Sequence, residues 1–187
     1  MSELRFSLKN DFKVIKNESL NLETVLHSKR VAIYAKQLAQ QMNYTSKQIN
    51  YLVLAALNHD IGKCKIPQHV LNKKGRLTQQ EYELVKNHAK YGSNILTKYK
   101  FSNDFCNIVK FHHENFDGSG YYGVVGNKIP ITSRIIHIVD VYDALISNRC
   151  YRKAYTKEKA LEIIENERDT YDPYIFHVFM KIMDKDL

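Results

Sequence analysis

The sequence predicts an all-α protein, folded as a single compact bundle of about seven to nine helices. Three observations indicate this fold class. Apolar residues recur at helical spacing along most of the chain, and several segments open with residues that cap helix N-termini. No stretch alternates between apolar and polar residues for long enough to predict a strand. With 187 residues, 44% of them apolar, the chain suits one domain with one sizeable core.

The first predicted helix begins at Ser19, after an N-terminal stretch, residues 1–18, without clear periodicity. We interpret that stretch as an extension or a linker remnant, and residues 19–187 as the domain. The apolar face of the helix is predicted to comprise Leu22, Val25, Leu26, Ala32, Ile33, Leu38 and Met42. Thr45 and Ser46 offer an N-cap for a second helix that ends near His59. Pro67 begins a short helical turn over residues 67–72.

The second half of the chain predicts five further helices and one long loop. Thr78-Gln79-Gln80-Glu81 has the form of a capping box and opens a helix that contains His88 and is interrupted at Gly92. Another helix covers about residues 102–113. A glycine-rich loop over residues 115–128 holds four of the seven glycines. Helices are then predicted over 131–147 and 156–167, and a last one opens with Asp172-Pro173.

Composition limits the classes of function. The net charge of +8 favours an anionic partner, although a lysine-rich solvated surface explains it equally. No motif for binding a nucleic-acid polymer is present, and no apolar run approaches the roughly 20 residues that cross a bilayer. No signal peptide is expected, because residues 1–3 lead into polar sequence of mixed charge. Three cysteines without C-x-x-C spacing indicate reduced thiols, so a cytoplasmic location is expected.

Nitrogen and oxygen donors recur along the chain in a pattern that indicates metal binding. The candidate ligands are Glu23, His27, His59, Asp60, His88, His112, His113 and Asp140. Glu23 and His27 are one helical turn apart and share a face. His59 and Asp60 are adjacent, and adjacent side chains on a helix diverge by roughly 100°, so a shared site requires a helix end or more than one metal.

This donor set lacks thiolates and suits catalytic iron, manganese or zinc better than a structural zinc ion. Eight ligands are too many for one ion and suit two or three. Such multinuclear sites activate water and hold the oxygens of a phosphoryl displacement. Lys63, one turn after His59, can contact a phosphate oxygen; the alternative is a solvated surface lysine.

The order of the motifs resembles the HD-GYP family over roughly residues 20–187. The matching segments are His59-Asp60-Ile61-Gly62-Lys63, His88-x3-Gly92, His112-His113-Glu114-x2-Asp117-Gly118-Ser119-Gly120-Tyr121 and Val139-Asp140-Val141-Tyr142-Asp143. The resemblance implies a helical metal-dependent phosphodiesterase that hydrolyses cyclic di-GMP to pGpG, GMP or both by a metal-activated hydroxide. The alternatives are cyclic GMP-AMP as the substrate, a weakly catalytic module that binds cyclic dinucleotides or a protein partner, and a nucleotidase of the wider HD superfamily.

The resemblance also implies roles for individual residues. It makes His59, Asp60, His88, His112, His113 and Asp140 metal ligands, with Asp60 bridging two ions. His27 matches a further ligand and Glu23 accompanies a third metal, so two or three ions are expected, iron before manganese. Asp60 and Lys63 are the expected catalytic residues, with Lys63 on the scissile phosphate. Further substrate contacts are expected from Gly120, Tyr121, Asp143, Arg149 and Arg152. The loop containing Tyr121 is the expected contact for GGDEF-type signalling proteins.

The chain departs from the family pattern at two prolines. Gly120-Tyr121-Tyr122 stands where the family has Gly-Tyr-Pro, and Arg149-Cys150-Tyr151 where it has Arg-Pro-Tyr. Both changes are expected to loosen the backbone without removing a ligand. Gly118 and Gly120 are expected to adopt positive φ. Three histidines, His69, His137 and His177, are expected to be ordinary packing or surface residues, and Cys64 a buried thiol.

Overall fold

The structure, a computed structural model, describes residues 20–148 and 152–185. Within these ranges the chain is helical and has no β-strand, which confirms the predicted all-α fold. The helices are α1 Leu22–Gln41, α2 Ser46–Asn58, α3 Gln68–Leu71, α4 Gln79–Lys86, α5 His88–Lys98, α6 Asn103–Lys110, α7 Ile131–Ile146, α8 Lys157–Asn166 and α9 Pro173–Lys185. Short 3-10 turns cover Ile61–Lys65, Gly126–Lys128 and Arg168–Thr170. None of the described helices is long and apolar enough to cross a membrane.

The helix starts follow local capping chemistry. The Thr45 side chain accepts a hydrogen bond from the Gln48 backbone while the Gln48 side chain bonds the Thr45 backbone. Thr78 and Glu81 form the same reciprocal pair at the start of α4, which confirms the predicted capping box. Each pair satisfies two backbone N–H groups that a helix start otherwise leaves free. The second helix therefore begins as predicted and ends at Asn58, directly before His59 and Asp60.

The core lies between α1, α2 and α7, with α6 and α9 closing it on either side. Large side chains that are fully buried there include Leu38, Leu52, Phe105, Ile138 and Phe179. The predicted apolar face of α1 is wrong in part, because Leu22, Leu26 and Ile33 are 72%, 44% and 57% exposed. The buried face instead carries the polar residues Thr24, His27 and Ser28 together with Val31, Ala35 and Leu38. Helix α1 is thus rotated so that a histidine points inward.

The prediction that Gly92 interrupts a helix is also wrong. The break falls at Asn87, between α4 and α5, and α5 runs through Gly92 without interruption. Gly92 is required for close packing: an added Cβ would lie 2.9 Å from Val109 Cγ1 and 3.4 Å from the Gly62 nitrogen. The 3-10 turn that follows Asp60 crosses α5 at this point, so glycines on both segments bring the His59-Asp60 pair close to His88.

Candidate metal centre

Five segments meet at one buried point and bring together seven of the eight predicted ligands. Helix α1 supplies His27, the end of α2 supplies His59 and Asp60, and the start of α5 supplies His88. The turn after α6 supplies His112 and His113, and the middle of α7 supplies Asp140. Six of the seven are buried residues, and the side chain of His113 is 23% exposed. The centre therefore opens to solvent on the His113 side.

Both pairs of adjacent ligands lie beyond helix ends. Helix α2 ends at Asn58, and Asp60, with φ −97° and ψ 7°, leaves the helical path. As a result His59 Nε2 lies 3.3 Å from Asp60 Oδ2, although the two residues would diverge on a regular helix. Helix α6 ends at Lys110, before the predicted residue 113, so His112 and His113 occupy a turn with ring centroids 4.1 Å apart.

Three histidines are oriented by the same backbone contact. Their Nδ1 atoms each lie 2.6–2.7 Å from the carbonyl oxygen three residues earlier, in the pairs His59–Ala56, His88–Val85 and His112–Val109. A carbonyl oxygen only accepts, so Nδ1 carries the proton and Nε2 keeps its lone pair. The Nε2 atoms of His88 and His112 are 3.2 Å apart. Two lone pairs at this distance repel each other unless they share a cation.

The two aspartates supply the negative charge. Asp60 Oδ2 is 2.5 Å from Lys63 Nζ, and Asp140 Oδ1 is 2.8 Å from His27 Nε2. Burial alone would raise the pKa of Asp60, but the charge of Lys63 and the contacts with His59 and His88 hold it well below its usual value. Burial opposes ionisation of Asp140 as well, and the hydrogen bond from His27 lowers its pKa strongly. Both carboxylates are therefore ionised at neutral pH.

His27 is held from behind by a second carboxylate. Its Nδ1 lies 2.7 Å from Asp143 Oδ2. Arg30 donates two hydrogen bonds to the same carboxylate, from Nε at 2.6 Å and from Nη2 at 2.9 Å. Burial lowers the pKa of His27, but the hydrogen bonds to Asp140 and Asp143 raise it to about 9. The expected substrate contact of Asp143 is corrected by this placement, because its side chain is fully buried behind His27. Asp143 instead orients His27, a candidate ligand.

Arg152 also differs from its expected role at the substrate. Its guanidinium donates to the backbone oxygens of Ala144 at 2.7 Å and Leu145 at 3.1 Å, and lies over the ring of Tyr155. These bonds satisfy the last carbonyls of α7, a position where a cation is favourable. Arg152 therefore stabilises the end of the helix that carries Asp140. Arg149, the other arginine expected to bind substrate, lies outside the described residues.

The structure does not bring Glu23 to the centre. The described residues form three groups whose ligand atoms lie within 4.8 Å of one another, and Glu23 belongs to none. The groups are His88, His112 and His113; His27, His59 and Asp60; and His59, His112 and Asp140. Glu23 is instead exposed in the first turn of α1, at the edge of an open cleft that Arg30 also lines.

The residues present fit divalent metal ions. His59 Nε2 and Asp60 Oδ1 are buried and have no hydrogen-bond partner in the described chain. Leaving such atoms unsatisfied is costly, and a bound cation would satisfy both. Burial, followed by the neighbouring histidines, holds the pKa of both His112 and His113 well below the usual value, so both are neutral at pH 7 and available to a cation. Imidazole and carboxylate donors without thiolate suit iron, manganese or zinc.

The glycine-rich loop is organised by Glu114, a residue whose role the sequence did not predict. Glu114 is 1% exposed, and its two carboxylate oxygens accept hydrogen bonds of 2.7 Å from the backbone N–H groups of Tyr122 and Val124. Proline has no N–H, so the family's proline could not make the bond that Tyr122 makes. At this position the chain anchors its backbone by a hydrogen bond, contrary to the expected loosening.

Gly118 and Gly120 are required to be glycine for different reasons. Gly118 has φ +88°, as expected, but Gly120 does not have positive φ. An added Cβ on Gly120 would lie 2.5 Å from the Asn115 nitrogen and 2.7 Å from the His113 oxygen, so it is required by close backbone approach. That approach places the ring of Tyr121 against His113, with centroids 4.7 Å apart.

Other residues outside the predicted site have mixed outcomes. His69 and His177 are exposed, as expected. His137 is buried and packs on Tyr171 with ring centroids 5.3 Å apart, so it is a packing residue, as expected. Cys64 is partly exposed, so the expectation of a buried thiol is wrong.

These features define a class: an all-α protein with a buried, thiolate-free cluster of histidines and aspartates built at helix ends. The family model for the HD domain matches residues 15–175. The chain therefore belongs to the HD-domain family, and the resemblance to its HD-GYP members is confirmed.

Curated relatives and a solved structure agree with this assignment. The chain is 38% identical over 162 residues to 3'3'-cGAMP-specific phosphodiesterase 3 of Vibrio cholerae, covering 86% of this chain and 35% of that protein. It is 37% identical over 148 residues to the cyclic di-GMP phosphodiesterase response regulator RpfG of Xanthomonas campestris, covering 77% and 39%. The chain thus spans little more than a third of these relatives.

A solved HDG"Y"P protein from Bdellovibrio bacteriovorus has the same fold. Its TM-score is 0.73, over 94% of this chain and 68% of that one, at 18% sequence identity.

Proposed function

We propose that residues 19–187 form a metal-dependent phosphodiesterase domain that hydrolyses cyclic di-GMP to pGpG, GMP or both. One observation carries this proposal: seven nitrogen and oxygen ligands converge at a site where His59 Nε2 and Asp60 Oδ1 lack a hydrogen-bond partner in the described chain. The donors suit divalent ions, and the site opens on the His113 side, where a phosphodiester can enter.

The ligand groups support two or three bound ions, with iron preferred and manganese as the alternative. The three groups overlap, because His59 and His112 each belong to two of them. Ions bound there would supply Lewis-acid activation of water and of the phosphate. The buried carboxylates hold their charge, and the backbone contacts hold the imidazoles of His59, His88 and His112 with Nε2 toward the centre.

Lys63 has the geometry of a residue that contacts the reacting phosphate. Its ammonium pairs with Asp60 and its side chain is 21% exposed, so it lies at the boundary between the buried ligands and solvent. A lysine there places a positive charge on a non-bridging oxygen as negative charge develops in the transition state. Asp60, between Lys63 and the histidines, is the residue whose loss should abolish turnover.

The substrate class follows from the relatives. Their names specify cyclic di-GMP for some and 3'3'-cGAMP for others, and the net charge of +8 favours either anion. We propose cyclic di-GMP as the substrate and cyclic GMP-AMP as the alternative. We also propose a cytoplasmic location and contacts with GGDEF-type proteins through the Gly118-Ser119-Gly120-Tyr121-Tyr122 loop, in which Tyr122 is exposed.

The test compares the wild-type protein with Asp60→Asn after anaerobic loading with iron or manganese. Each is incubated with cyclic di-GMP, and separately with 3'3'-cGAMP, and products are separated by chromatography. We expect linear dinucleotide or GMP from the wild type and at least a thousandfold less from the variant, as expected for loss of a metal-bridging ligand. Intact dinucleotides after incubation with metal-loaded wild type would reject hydrolysis. Tight binding without turnover would identify the protein as a binding module.

A further inference from the structure

Helix α4 lies directly before the ligand segment that begins at His88, and it is unusually exposed. It covers Gln79–Lys86, and none of its residues is buried. Its first turn is held by the capping box and by an ion pair between Lys73 and Glu81. Its last residue, Lys86, is half-buried and lies two residues before the ligand His88. Helix α4 therefore ends in the cationic side chain of Lys86, close to the candidate metal centre.

Tyr121 separates Lys86 from the metal ligands. The ammonium of Lys86 lies 5.4 Å from the centroid of the Tyr121 ring, and that ring packs on His113 at 4.7 Å and on His88 at 6.4 Å. Contact with a ring face holds an ammonium in place at small cost in hydration. The ring of Tyr121 thus lies between the ammonium of Lys86 and the histidines of the centre.

Lys86 differs from the other lysine at the centre in its pairing. Lys63 is paired with the carboxylate of Asp60. Lys86 has no ion pair with a carboxylate in the part of the chain that the structure describes, so its charge is available to an anion. A half-buried ammonium next to an open site suits a phosphate group, which lysine binds as a point charge.

The chemistry of the substrate provides a partner for this charge. A cyclic dinucleotide carries two phosphates, and the metal centre with Lys63 engages the one that is cleaved. We propose that Lys86, positioned by Tyr121, binds the second, uncleaved phosphate. The inference rests on the proposed phosphodiesterase function and deepens it. It makes Lys86 a substrate-binding residue and gives Tyr121 a positioning role.

A plainer role for Lys86 is to stabilise the C-terminal end of α4, where a basic side chain interacts favourably with the helix dipole. That role would affect folding and would not distinguish between substrates. The test therefore compares cyclic di-GMP, with two phosphates, to bis(p-nitrophenyl) phosphate, with one. Under the proposed function we expect both to be cleaved at the same centre, but only the first can use a second phosphate site.

We expect Lys86→Gln to raise KM for cyclic di-GMP about tenfold with kcat changed less than twofold, as for a lost charge-assisted hydrogen bond. The loss in kcat/KM should be at least fivefold larger than for bis(p-nitrophenyl) phosphate. Lys86→Arg should restore most of the affinity. Lys90→Gln, which removes an exposed lysine on α5, is the matched control.

Variants of Tyr121 provide a second test of the inference. Tyr121→Phe keeps the ring and should retain affinity, whereas Tyr121→Leu should raise KM in the same way as Lys86→Gln. The double variant Tyr121→Leu/Lys86→Gln should have a KM close to that of Lys86→Gln alone, because both substitutions remove the same contact with the phosphate. Equal losses of kcat/KM for both substrates, or an unchanged KM in Lys86→Gln, would overturn the inference about Lys86. If the wild type still hydrolysed cyclic di-GMP, the proposed function would stand. A wild type that neither binds nor cleaves cyclic dinucleotides would overturn both.

Discussion

Gly62 lies so close to His88 that a Cβ on Gly62 would be 1.9 Å from the His88 carbonyl oxygen and 2.5 Å from the Gly92 nitrogen. Only a glycine lets the turn after Asp60 cross α5 at this distance. The crossing sets the position of Asp60 relative to His88, whose Nε2 is 3.2 Å from Asp60 Oδ1. A residue without a side chain thereby determines the spacing of two ligands.

Gly62→Ala is expected to separate the two segments because backbone atoms cannot yield as a side chain can. We expect a loss of about 3 kcal/mol in the free energy of unfolding, as for severe overpacking, and weaker metal binding. Denaturant unfolding with a chelator present, and titration with Mn²⁺, measure the two effects. Gly92→Ala is the comparator: its Cβ would come closest to a side-chain methyl of Val109, at 2.9 Å, and would lie 3.4 Å from the Gly62 nitrogen, so we expect no more than about 1 kcal/mol. Equal losses in both variants would contradict this account.

Asp143→Asn tests the carboxylate behind His27. The amide can present its NH₂ to Nδ1 and favour the wrong tautomer, so we expect affinity for Mn²⁺ to fall about 10- to 100-fold. Arg30→Gln should cause a smaller loss, since Asp143 keeps its bond to His27. Ser147→Ala, which removes only a 3.3 Å contact to the same carboxylate, is the control. Calorimetric titration gives the affinities, and an unchanged value for Asp143→Asn would refute the positioning role.

Tyr122→Pro would restore the family's signature residue. Here it should destabilise the protein by about 1–3 kcal/mol, because it removes the N–H that bonds buried Glu114 and leaves a carboxylate oxygen with one partner fewer. Tyr122→Phe keeps the backbone bond and should be near neutral. Thermal unfolding of both variants distinguishes the backbone effect from loss of the phenol. A more stable proline variant would show that the bond to Glu114 is dispensable.

The pH dependence of the metal-free protein should report on His27. The pKa of His27 is raised from 6.5 to about 9 in the folded state, so its contribution to stability is fully present below pH 6.5 and is lost as pH rises through about 9. We expect wild type to lose about 2–3 kcal/mol more than His27→Gln between pH 6 and pH 9.5. Urea unfolding with a chelator at the two pH values measures the difference. Parallel losses would mean that His27 is neutral when folded.

The local part of this architecture could be predicted from the sequence. The capping boxes at Thr45 and Thr78 link residues three positions apart, so nearby sequence specifies them. The angle between adjacent side chains predicted that His59 and Asp60 lie at a helix end or serve more than one metal, and the structure shows the helix end. The motif order led to the HD-GYP resemblance and to the seven ligands that converge.

The roles that the sequence did not predict correctly depend on contacts between distant residues. Which face of α1 is buried depends on His27 meeting Asp143, 116 residues away, and Arg30 meeting the same carboxylate, 113 residues away. Apolar periodicity within one helix does not contain that information, so Leu22 and Leu26 were expected inside.

The sequence by itself determined the all-α class and the starts of several helices, because these depend on neighbours within a few positions, and its motif order predicted most of the candidate donors. Only the tertiary structure decided that Asp143 supports a ligand, that Arg152 closes a helix end and that Glu114 anchors the loop at Tyr122. The physical reason is burial. A carboxylate or guanidinium removed from water must find its partner wherever the fold brings one, and that partner is set by packing across the whole domain.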